Sequence, residues 1–193
     1  MNHGGKLKLN KLSFMKKFKP ADIIQDIQYF GEYGGVNPSI ADSSTFTYLA
    51  GKTMEMVFGG EREGCYLYSR HMNPSIGYLA EAIANIENTD AAHVSASGMG
   101  SISNTMMQLC KSGDHIVSSR TIYGGTYAFM KNFLPRLNIS TSFVDTTNLE
   151  SVKSAICEDT KVLYCETMSN PLLEISDIKK LAELAHENNL KLI

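Results

Sequence analysis

The residues that point most directly to chemistry lie at positions 95–101, Ser-Ala-Ser-Gly-Met-Gly-Ser. An apolar run precedes them at 91–94, and a segment with apolar residues at helical spacing follows at 102–110. This order predicts a strand, a glycine turn and a helix. Backbone N–H groups at the start of a helix lack partners and attract anions, so the turn could hold a phosphate. An ordinary strand–helix turn that binds nothing is the alternative, and this segment alone leaves both open.

A second candidate for phosphate binding is the pair Tyr68 and Arg70. If the chain is extended before Asn73, these two side chains point to the same side, because side chains alternate along a strand. A guanidinium can bind a phosphate through two parallel hydrogen bonds, and a phenol beside it adds another donor. The alternative is a surface tyrosine next to a salt-bridged arginine.

Two further polar turns follow, Tyr-Gly-Gly-Thr at 123–126 and Glu-Thr-Met-Ser-Asn-Pro at 166–171. The first follows the strand that we predict at 114–118, and the second comes directly after the strand that we predict at 162–165. Ligands of parallel sheets bind beyond the carboxyl ends of the strands. We therefore expect Tyr123, Glu166 and Asn170 to gather near the glycine turn.

The elements that position these turns follow from caps and apolar periodicity. Asn73 and Pro74 are typical of a helix start, and a row of apolar residues at helical spacing comes after them: Ile76, Leu79, Ala80, Ile83 and Ile86. Strands are predicted at 114–118, 140–144, 162–165 and 190–193. Between them we predict three helices: one from Gly124 to Pro135, one behind a capping box of Thr147 and Glu150, and one from about Ser176.

The alternation of strands and helices predicts an α/β fold with a largely parallel sheet. The helices between the strands carry apolar stripes that should face it: Tyr127, Met130, Phe133 and Leu134 in the first, Leu149, Val152 and Ile156 in the second, and Ile178, Leu181, Leu184 and Ala185 in the third. Residues 1–63 show little helical periodicity and many glycines. We expect an extended arm at 1–63, which needs a partner surface on its own domain or on a neighbouring subunit, followed by an incomplete domain at 64–193.

Composition narrows the possible partners. The formal net charge of −2 argues against a nucleic-acid partner, although residues 1–20 carry lysines and no acidic residue. We interpret that basic stretch as a solvated terminus. No apolar run is long enough for a membrane span or signal peptide, so we expect a cytoplasmic protein with no membrane contact. The cysteines (Cys65, Cys110, Cys157 and Cys165) and the histidines lack metal-site spacing, and no metal is predicted.

Four of these motifs occur in an order that resembles one enzyme family. They are Tyr-Ser-Arg-x-x-Asn-Pro-Ser from Tyr68, Ser-Gly-Met-Gly from Ser97, Tyr-Gly-Gly-Thr from Tyr123, and Glu-Thr-x-x-Asn-Pro from Glu166. This pattern resembles the Cys/Met-metabolism family of pyridoxal-phosphate enzymes, which includes cystathionine γ-synthases and γ-lyases, methionine γ-lyases and O-acetylhomoserine sulfhydrylases. The resemblance covers residues 30–193. It implies a three-layer, fold-type-I large domain and a homo-oligomer, a dimer of dimers with shared active sites.

The resemblance also implies roles for particular residues. The backbone of Gly98 and Met99 would hold the phosphate of pyridoxal 5'-phosphate, while Tyr68 and Arg70 would reach the phosphate of a neighbouring subunit. Tyr123 would stack on the pyridine ring and act as the catalytic acid or base. Asn170 would orient the side of the ring that carries the hydroxyl. These roles suit the chemistry, since a phosphate binds N–H donors and a guanidinium, and an aromatic ring stacks on another.

The implied reaction is γ-elimination or γ-replacement on a small amino-acid substrate derived from homoserine or cysteine, including cystathionine or methionine. Gly125 favours the γ-synthase, γ-lyase and sulfhydrylase types, because methionine γ-lyases often have cysteine there. The family also has an aspartate beside the pyridine nitrogen and a lysine that binds the cofactor covalently. Both are expected beyond Ile193, after the strand that begins at Leu190. We therefore interpret the chain as the amino-terminal part of a longer protein, inactive by itself.

Two other interpretations remain open. The first is a nicotinamide-binding domain, with Gly98 and Gly100 in the phosphate turn and Ser118, Ser119 and Arg120 around a 2′-phosphate. It has Ser103 in place of the third glycine and gives no role to the tyrosine–arginine pair. The second is a naturally truncated product that binds pyridoxal phosphate without turning anything over.

Overall fold

The computed structural model describes residues 35–61 and 64–193. The chain divides into two compact units, Met1–Val94 and Ser95–Ile193. The expected division at residue 63, between an arm and a domain, remains a prediction. The expectation of a strand at residues 91–94 is wrong, because these residues form no strand in the described chain. A strand needs a neighbour for its N–H and C=O groups, and a run with two alanines and a histidine has little strand preference of its own.

Two helices lie in the described part of the first unit. Helix α1, Gly51–Phe58, has no buried residue and was not expected from the sequence. Helix α2, Pro74–Glu87, begins as predicted, since the side chain of Asn73 accepts a hydrogen bond from Ser75 N and Pro74 occupies the first turn.

The predicted apolar row of α2 does not become core in the described chain. The side chains of Ile76, Leu79 and Ile83 are 42–44% exposed, and the buried residues of the helix are Ala82 and Ala84. The helix itself was predicted correctly. Its apolar spacing, however, does not indicate which surface covers these residues.

Residues 39–45 run antiparallel to the segment before α2. Thr45 and Tyr68 form an antiparallel bridge, and Ser69 N donates to Ser44 O at 2.9 Å. The amide of Asn73 donates to Ala41 O at 3.0 Å. These bonds hold part of the predicted arm against the segment that carries the tyrosine–arginine pair.

The second unit contains a four-stranded parallel sheet of order β2-β1-β3-β4. Its strands are β1 at His115–Ser119, β2 at Ser140–Val144, β3 at Thr160–Tyr164 and β4 at Lys191–Leu192. They overlap the four predicted strands. The expected α/β fold with a parallel sheet is therefore confirmed.

Helices cover both faces of this sheet. Helix α3, Gly98–Leu109, precedes β1, and α4, Gly124–Ala128, precedes β2. Helices α5, Leu149–Ala155, and α6, Ile178–Glu187, precede β3 and β4. One core cluster joins Met106 and Met130 to Ile116 and Val162, and the other joins Val152 and Leu181 to Val117 and Leu163. Adjacent strand residues thus serve opposite cores, which makes three layers.

The helix predicted to end at Pro135 has a different shape. After α4 the chain forms a π-helical turn, Phe129–Phe133, and a 3-10 turn, Leu134–Leu137. Pro135 lies in the first turn of the 3-10 segment, where a missing N–H costs nothing. The predicted inward residues Met130 and Leu134 are fully buried, whereas Phe133 is exposed.

Two other details differ from the expected pattern. The N-cap of α5 is Asn148, not Thr147: Asn148 Oδ1 accepts from Glu150 N at 3.1 Å and Ser151 N at 3.4 Å. Thr147 instead donates to Asp145. In α6 the expected residues Leu181, Leu184 and Ala185 are buried, whereas Ile178 is 39% exposed.

Candidate functional site

The glycine turn opens α3 with two unused backbone donors. Ser97 is the N-cap, and its hydroxyl accepts from Gly100 N at 3.0 Å, while Ser101 N bonds to Ser97 O. The N–H groups of Gly98 and Met99 have no partner among the described residues. A Cβ added at Gly98 would meet no atom within 4 Å, so the space beside the Gly98 Cα is open. Two free donors at a helix start suit a phosphate.

Hydrogen bonds between serines connect the two ends of the turn. Ser95 Oγ donates to Ser97 O at 2.8 Å and lies 2.6 Å from Ser101 Oγ. A Cβ on Gly100 would lie 3.0 Å from Ser97 Oγ, the atom that caps the helix, so a side chain here would press on the cap. The geometry of the turn therefore depends on hydroxyl groups at both ends.

Tyr123 ends the loop after β1 and serves as the N-cap of α4. Its backbone N–H donates to Glu166 Oε1 at 3.0 Å. Its ring is 52% exposed, and its phenol has no hydrogen-bond partner among the described residues. The phenol is thus available to a ligand.

The ring of Tyr123 and the side chain of Met99 both lie beside Gly125. A Cβ built on Gly125 would lie 2.6 Å from Tyr123 Cε1 and 3.3 Å from Met99 Sδ. Thr126, fully buried, places its hydroxyl 3.7 Å from the same sulfur. The sequence singled out Met99 and Tyr123 separately. Their common position beside Gly125 appears only in the folded chain.

Tyr164 lies behind this cluster at the end of β3. Burial raises its pKa above the ordinary value of 10.0, and the nearby Glu166 adds to that effect, while a hydrogen bond with Thr126 opposes it. This buried phenol bonds to Thr126, whereas Tyr123 is exposed.

The segment after β3 folds into a hairpin. Met168 and Ile175 form an antiparallel bridge, and Ser169 N donates to Glu174 O at 2.9 Å. Asn170 lies between these residues, is exposed, and forms a cis peptide bond with Pro171. The structure thus brings Glu166 to Tyr123 and places Asn170 in the adjoining hairpin.

Tyr68 and Arg70 lie side by side in the first unit. The guanidinium carbon of Arg70 is 4.9 Å from the centroid of the Tyr68 ring, and both side chains are exposed. The expected extended backbone is wrong: a turn begins at Tyr68, whose carbonyl accepts from the N–H groups of His71 and Met72. The pairing therefore comes from a turn and a cation–π contact.

The residues that would surround the 2′-phosphate of a nicotinamide cofactor have other contacts in the structure. Arg120 pairs with Asp145 at 2.9 Å, and the serines before it, Ser118 and Ser119, are buried. Hydrogen bonds from Thr147 lower the pKa of Asp145, and Arg120 adds to this. Because Arg120 is already paired with a carboxylate, its guanidinium is not free to bind a 2′-phosphate.

Sequence reasoning missed two contributors to this region, Thr121 and Glu174, which hydrogen bond to each other. No local signal could have found them, because the partners are 53 positions apart. Within residues 35–61 and 64–193, no group of three or more acidic, histidine or cysteine side chains could hold a metal ion. No helix in these same ranges is long and apolar enough to span a membrane.

The family model described as "Cys/Met metabolism PLP-dependent enzyme" matches residues 23–193. A methionine gamma-lyase of Arabidopsis thaliana is 47% identical over 180 residues, which cover 90% of this chain and 41% of that protein. A cystathionine gamma-lyase of Bacillus subtilis is 42% identical over 134 residues, covering 69% of this chain and 35% of that protein. The chain thus spans about two fifths or less of the length of these relatives.

A solved structure gives the same result for the fold. The crystal structure of a Campylobacter jejuni protein described as an O-acetylhomoserine (thiol)-lyase matches this chain with a TM-score of 0.84 at 26% identity. The match covers 91% of this chain and 44% of that chain. That structure carries N'-pyridoxyl-lysine-5'-monophosphate. The lysine-linked pyridoxyl group is a property of that protein.

Proposed function

The chain belongs to the Cys/Met metabolism PLP-dependent enzyme family, and on that premise we propose that it binds pyridoxal 5'-phosphate at the start of α3. The N–H groups of Gly98 and Met99 would donate to the phosphate, and the ring of Tyr123 would stack on the pyridine. Asn170 would orient the hydroxyl side of that ring.

One observation carries this proposal: two unpartnered N–H groups lie at the start of α3, and the Tyr123 ring and the Met99 sulfur lie 2.6 Å and 3.3 Å from the position of a Cβ on Gly125. A dianionic phosphate attached to a flat ring needs donors and an aromatic surface within a short distance of each other. The residues present therefore fit the cofactor. The paired Arg120 argues against the nicotinamide alternative.

When bound, the cofactor withdraws electrons from the Cα atom of an amino acid, which allows a γ-substituent to leave or be replaced. The residues of this chain would bind it, orient it and move a proton. Tyr123 has the free phenol needed for that last role, and its exposure allows the hydroxyl to reach a substrate atom. Tyr68 and Arg70 would contribute a phenol and a guanidinium to the phosphate of a neighbouring subunit.

For the whole protein we propose γ-elimination or γ-replacement on a sulfur-containing or homoserine-derived amino acid. The relatives named methionine gamma-lyase and cystathionine gamma-lyase support this substrate class. The 47% identity to a methionine gamma-lyase also argues against using Gly125 alone to exclude methionine as a substrate. We further propose a cytoplasmic homotetramer. Free cysteines support the compartment, and the exposed apolar row of α2 supports subunit contacts.

A Gly98→Pro substitution tests the phosphate site. It removes one of the two donors, and proline is tolerated at the first position of a helix. The preceding residue, Ser97, already has the extended backbone that a following proline requires (φ −158°, ψ 155°). We expect the affinity for pyridoxal phosphate to fall roughly tenfold, the value of one hydrogen bond to a charged group.

The matched control is Gly98→Ala, which keeps the N–H group. Both variants are titrated with pyridoxal phosphate and with pyridoxal, which lacks the phosphate, by absorbance. A G98P protein that binds pyridoxal phosphate as tightly as the unchanged chain would refute the donor role. Borohydride is then added, and we expect no pyridoxyl group on any lysine of residues 1–193. A reduced pyridoxyl-lysine would show that this chain binds the cofactor covalently.

A further inference from the structure

Two glutamates of the segment after β3 contact the loop after β1. Glu166 Oε1 accepts from the backbone N–H of Tyr123 at 3.0 Å. Glu174 Oε2 accepts from Thr121 Oγ1 at 2.9 Å. The two donors are two residues apart, so both carboxylates fix the same short stretch of the loop that carries Tyr123.

The chain between the two glutamates is itself constrained. Besides the bridge of Met168 with Ile175, Ser169 bonds to Glu174 twice: its N–H donates to Glu174 O at 2.9 Å, and its hydroxyl accepts from Glu174 N at 3.0 Å. Ser169 is buried. Asn170 follows it directly, so the position of Asn170 depends on the same hairpin.

Buried hydroxyl groups connect the start of the loop after β1 with the end of the segment after β3. Thr146 Oγ1 donates to Ser119 Oγ at 3.2 Å and lies 3.5 Å from Ser176 Oγ. All three residues are at least nine-tenths buried. Ser119 Oγ in turn lies 3.4 Å from Thr121 Oγ1. The glutamates therefore act where the loop leaves this buried network and becomes exposed.

Neither carboxylate is used in an ion pair within the described residues. Their partners there are neutral donors on the loop. Hydrogen bonds with a charged acceptor are stronger than neutral ones. The two bonds flank Ile122, which is buried in the core, and so they add to the packing that holds this loop. Such an arrangement is better suited to positioning the loop than to raising the free energy of unfolding.

We propose that Glu166 and Glu174 are positioning residues, a carboxylate clamp that holds the Tyr123 loop against the hairpin with Asn170. The inference rests on the proposed function, because it assigns the clamp the task of keeping Tyr123 and Asn170 at the spacing that one cofactor ring requires. Neither glutamate touches the reacting atoms. They act through the loop and the hairpin.

Amide hydrogen exchange of Tyr123 in the chain without cofactor tests the clamp directly. In Glu166→Leu the N–H loses its acceptor, and we expect its exchange to accelerate about tenfold. Glu166→Gln retains a carbonyl oxygen and should restore most of the protection. Glu150→Gln is the matched control, since Glu150 is exposed and pairs with Lys153 on its own helix. Unchanged exchange at Tyr123 in E166L would overturn the proposal.

Glu174→Leu gives a second, independent readout. We expect faster exchange at residues 121–123 and in the hairpin, and weaker pyridoxal phosphate binding, by roughly three- to tenfold. Binding that is unchanged while exchange rises would overturn the link to the cofactor. If the unchanged chain binds no pyridoxal phosphate but E166L still exposes the Tyr123 amide, the proposed function fails and the clamp stands. If the cofactor binds and neither leucine variant alters exchange, the clamp fails and the proposed function stands.

Discussion

At the scale of single residues, Gly125 decides where the Tyr123 ring can lie. The ring occupies the space that a β-carbon on Gly125 would need, with 2.6 Å between the two carbon positions. Because the ring is half exposed, it can swing outward when a methyl group is added. A side chain at this position is therefore expected to move the ring and leave the core intact.

We expect Gly125→Ala to weaken pyridoxal phosphate binding several-fold while changing the free energy of unfolding by less than about 0.5 kcal/mol. Gly124→Ala is the control, because a Cβ at Gly124 meets no atom within 4 Å. Both quantities come from absorbance titration and urea unfolding of the same preparations. Equal effects of the two substitutions would contradict a role for the Tyr123–Gly125 contact.

At the scale of elements, the start of α5 shows how two cap patterns compete. Thr147 and Glu150 have the spacing of a capping box, yet Asn148 caps the helix through two backbone N–H groups. The hydroxyl of Thr147 is already bound to Asp145, which bonds to Arg120 as well. Contacts with a neighbouring strand end thus shift the cap by one residue.

Asn148→Ala should lower the free energy of unfolding by about 1 kcal/mol, since it removes the acceptor of two helix donors. Glu150→Gln should have little effect, because its pair with Lys153 is solvent-exposed. Urea unfolding monitored by circular dichroism compares the two variants. The reverse order, with E150Q costly and N148A neutral, would restore the capping box.

At the scale of the whole molecule, one buried histidine connects three strands at the amino-terminal edge of the sheet. His115 of β1 lies 2.9 Å from Thr160 Oγ1 of β3 through Nδ1 and 2.9 Å from Ser142 Oγ of β2 through Nε2. Cys157 Sγ lies 3.5 Å from Nδ1. Burial lowers the pKa of His115 below its ordinary 6.5, although the charge of Asp159 opposes this.

This lowered pKa makes the stability of the sheet depend on pH. The unfolded chain takes up a proton near pH 6.5, whereas the folded chain resists protonation until lower pH. As the pH falls below that value, the unfolded state binds more protons, and the free energy of unfolding decreases. We expect this loss between about pH 7 and pH 5 to be smaller in His115→Gln than in the unchanged chain.

The measurement is urea unfolding at both pH values. His93→Gln, at an exposed position, is the control and should follow the unchanged chain. An equal loss of stability in H115Q and the unchanged chain would show that another group causes the pH dependence.

Much of the fold and of the candidate site could be predicted from the sequence because the signals are local. A cap and a proline mark the start of α2, glycines and serines mark the turn before α3, and apolar periodicity marks the strands and helices of the second unit. The alternation of these elements favours a parallel sheet. The four motifs in order predicted the family, which the comparisons then showed. The individual roles of the site residues remain predictions.

The tertiary structure alone decided which groups meet. It joined Tyr123 to Glu166 and Thr121 to Glu174, and it brought Met99 beside Gly125. Among the described residues it gave 91–94 no strand partner and left Ile76, Leu79 and Ile83 of α2 exposed. The physical reason is common to all of these. Propensity and capping act over a few residues, whereas a hydrogen bond to a distant carboxylate, a strand pairing or the cover of an apolar face depends on which segments folding brings together.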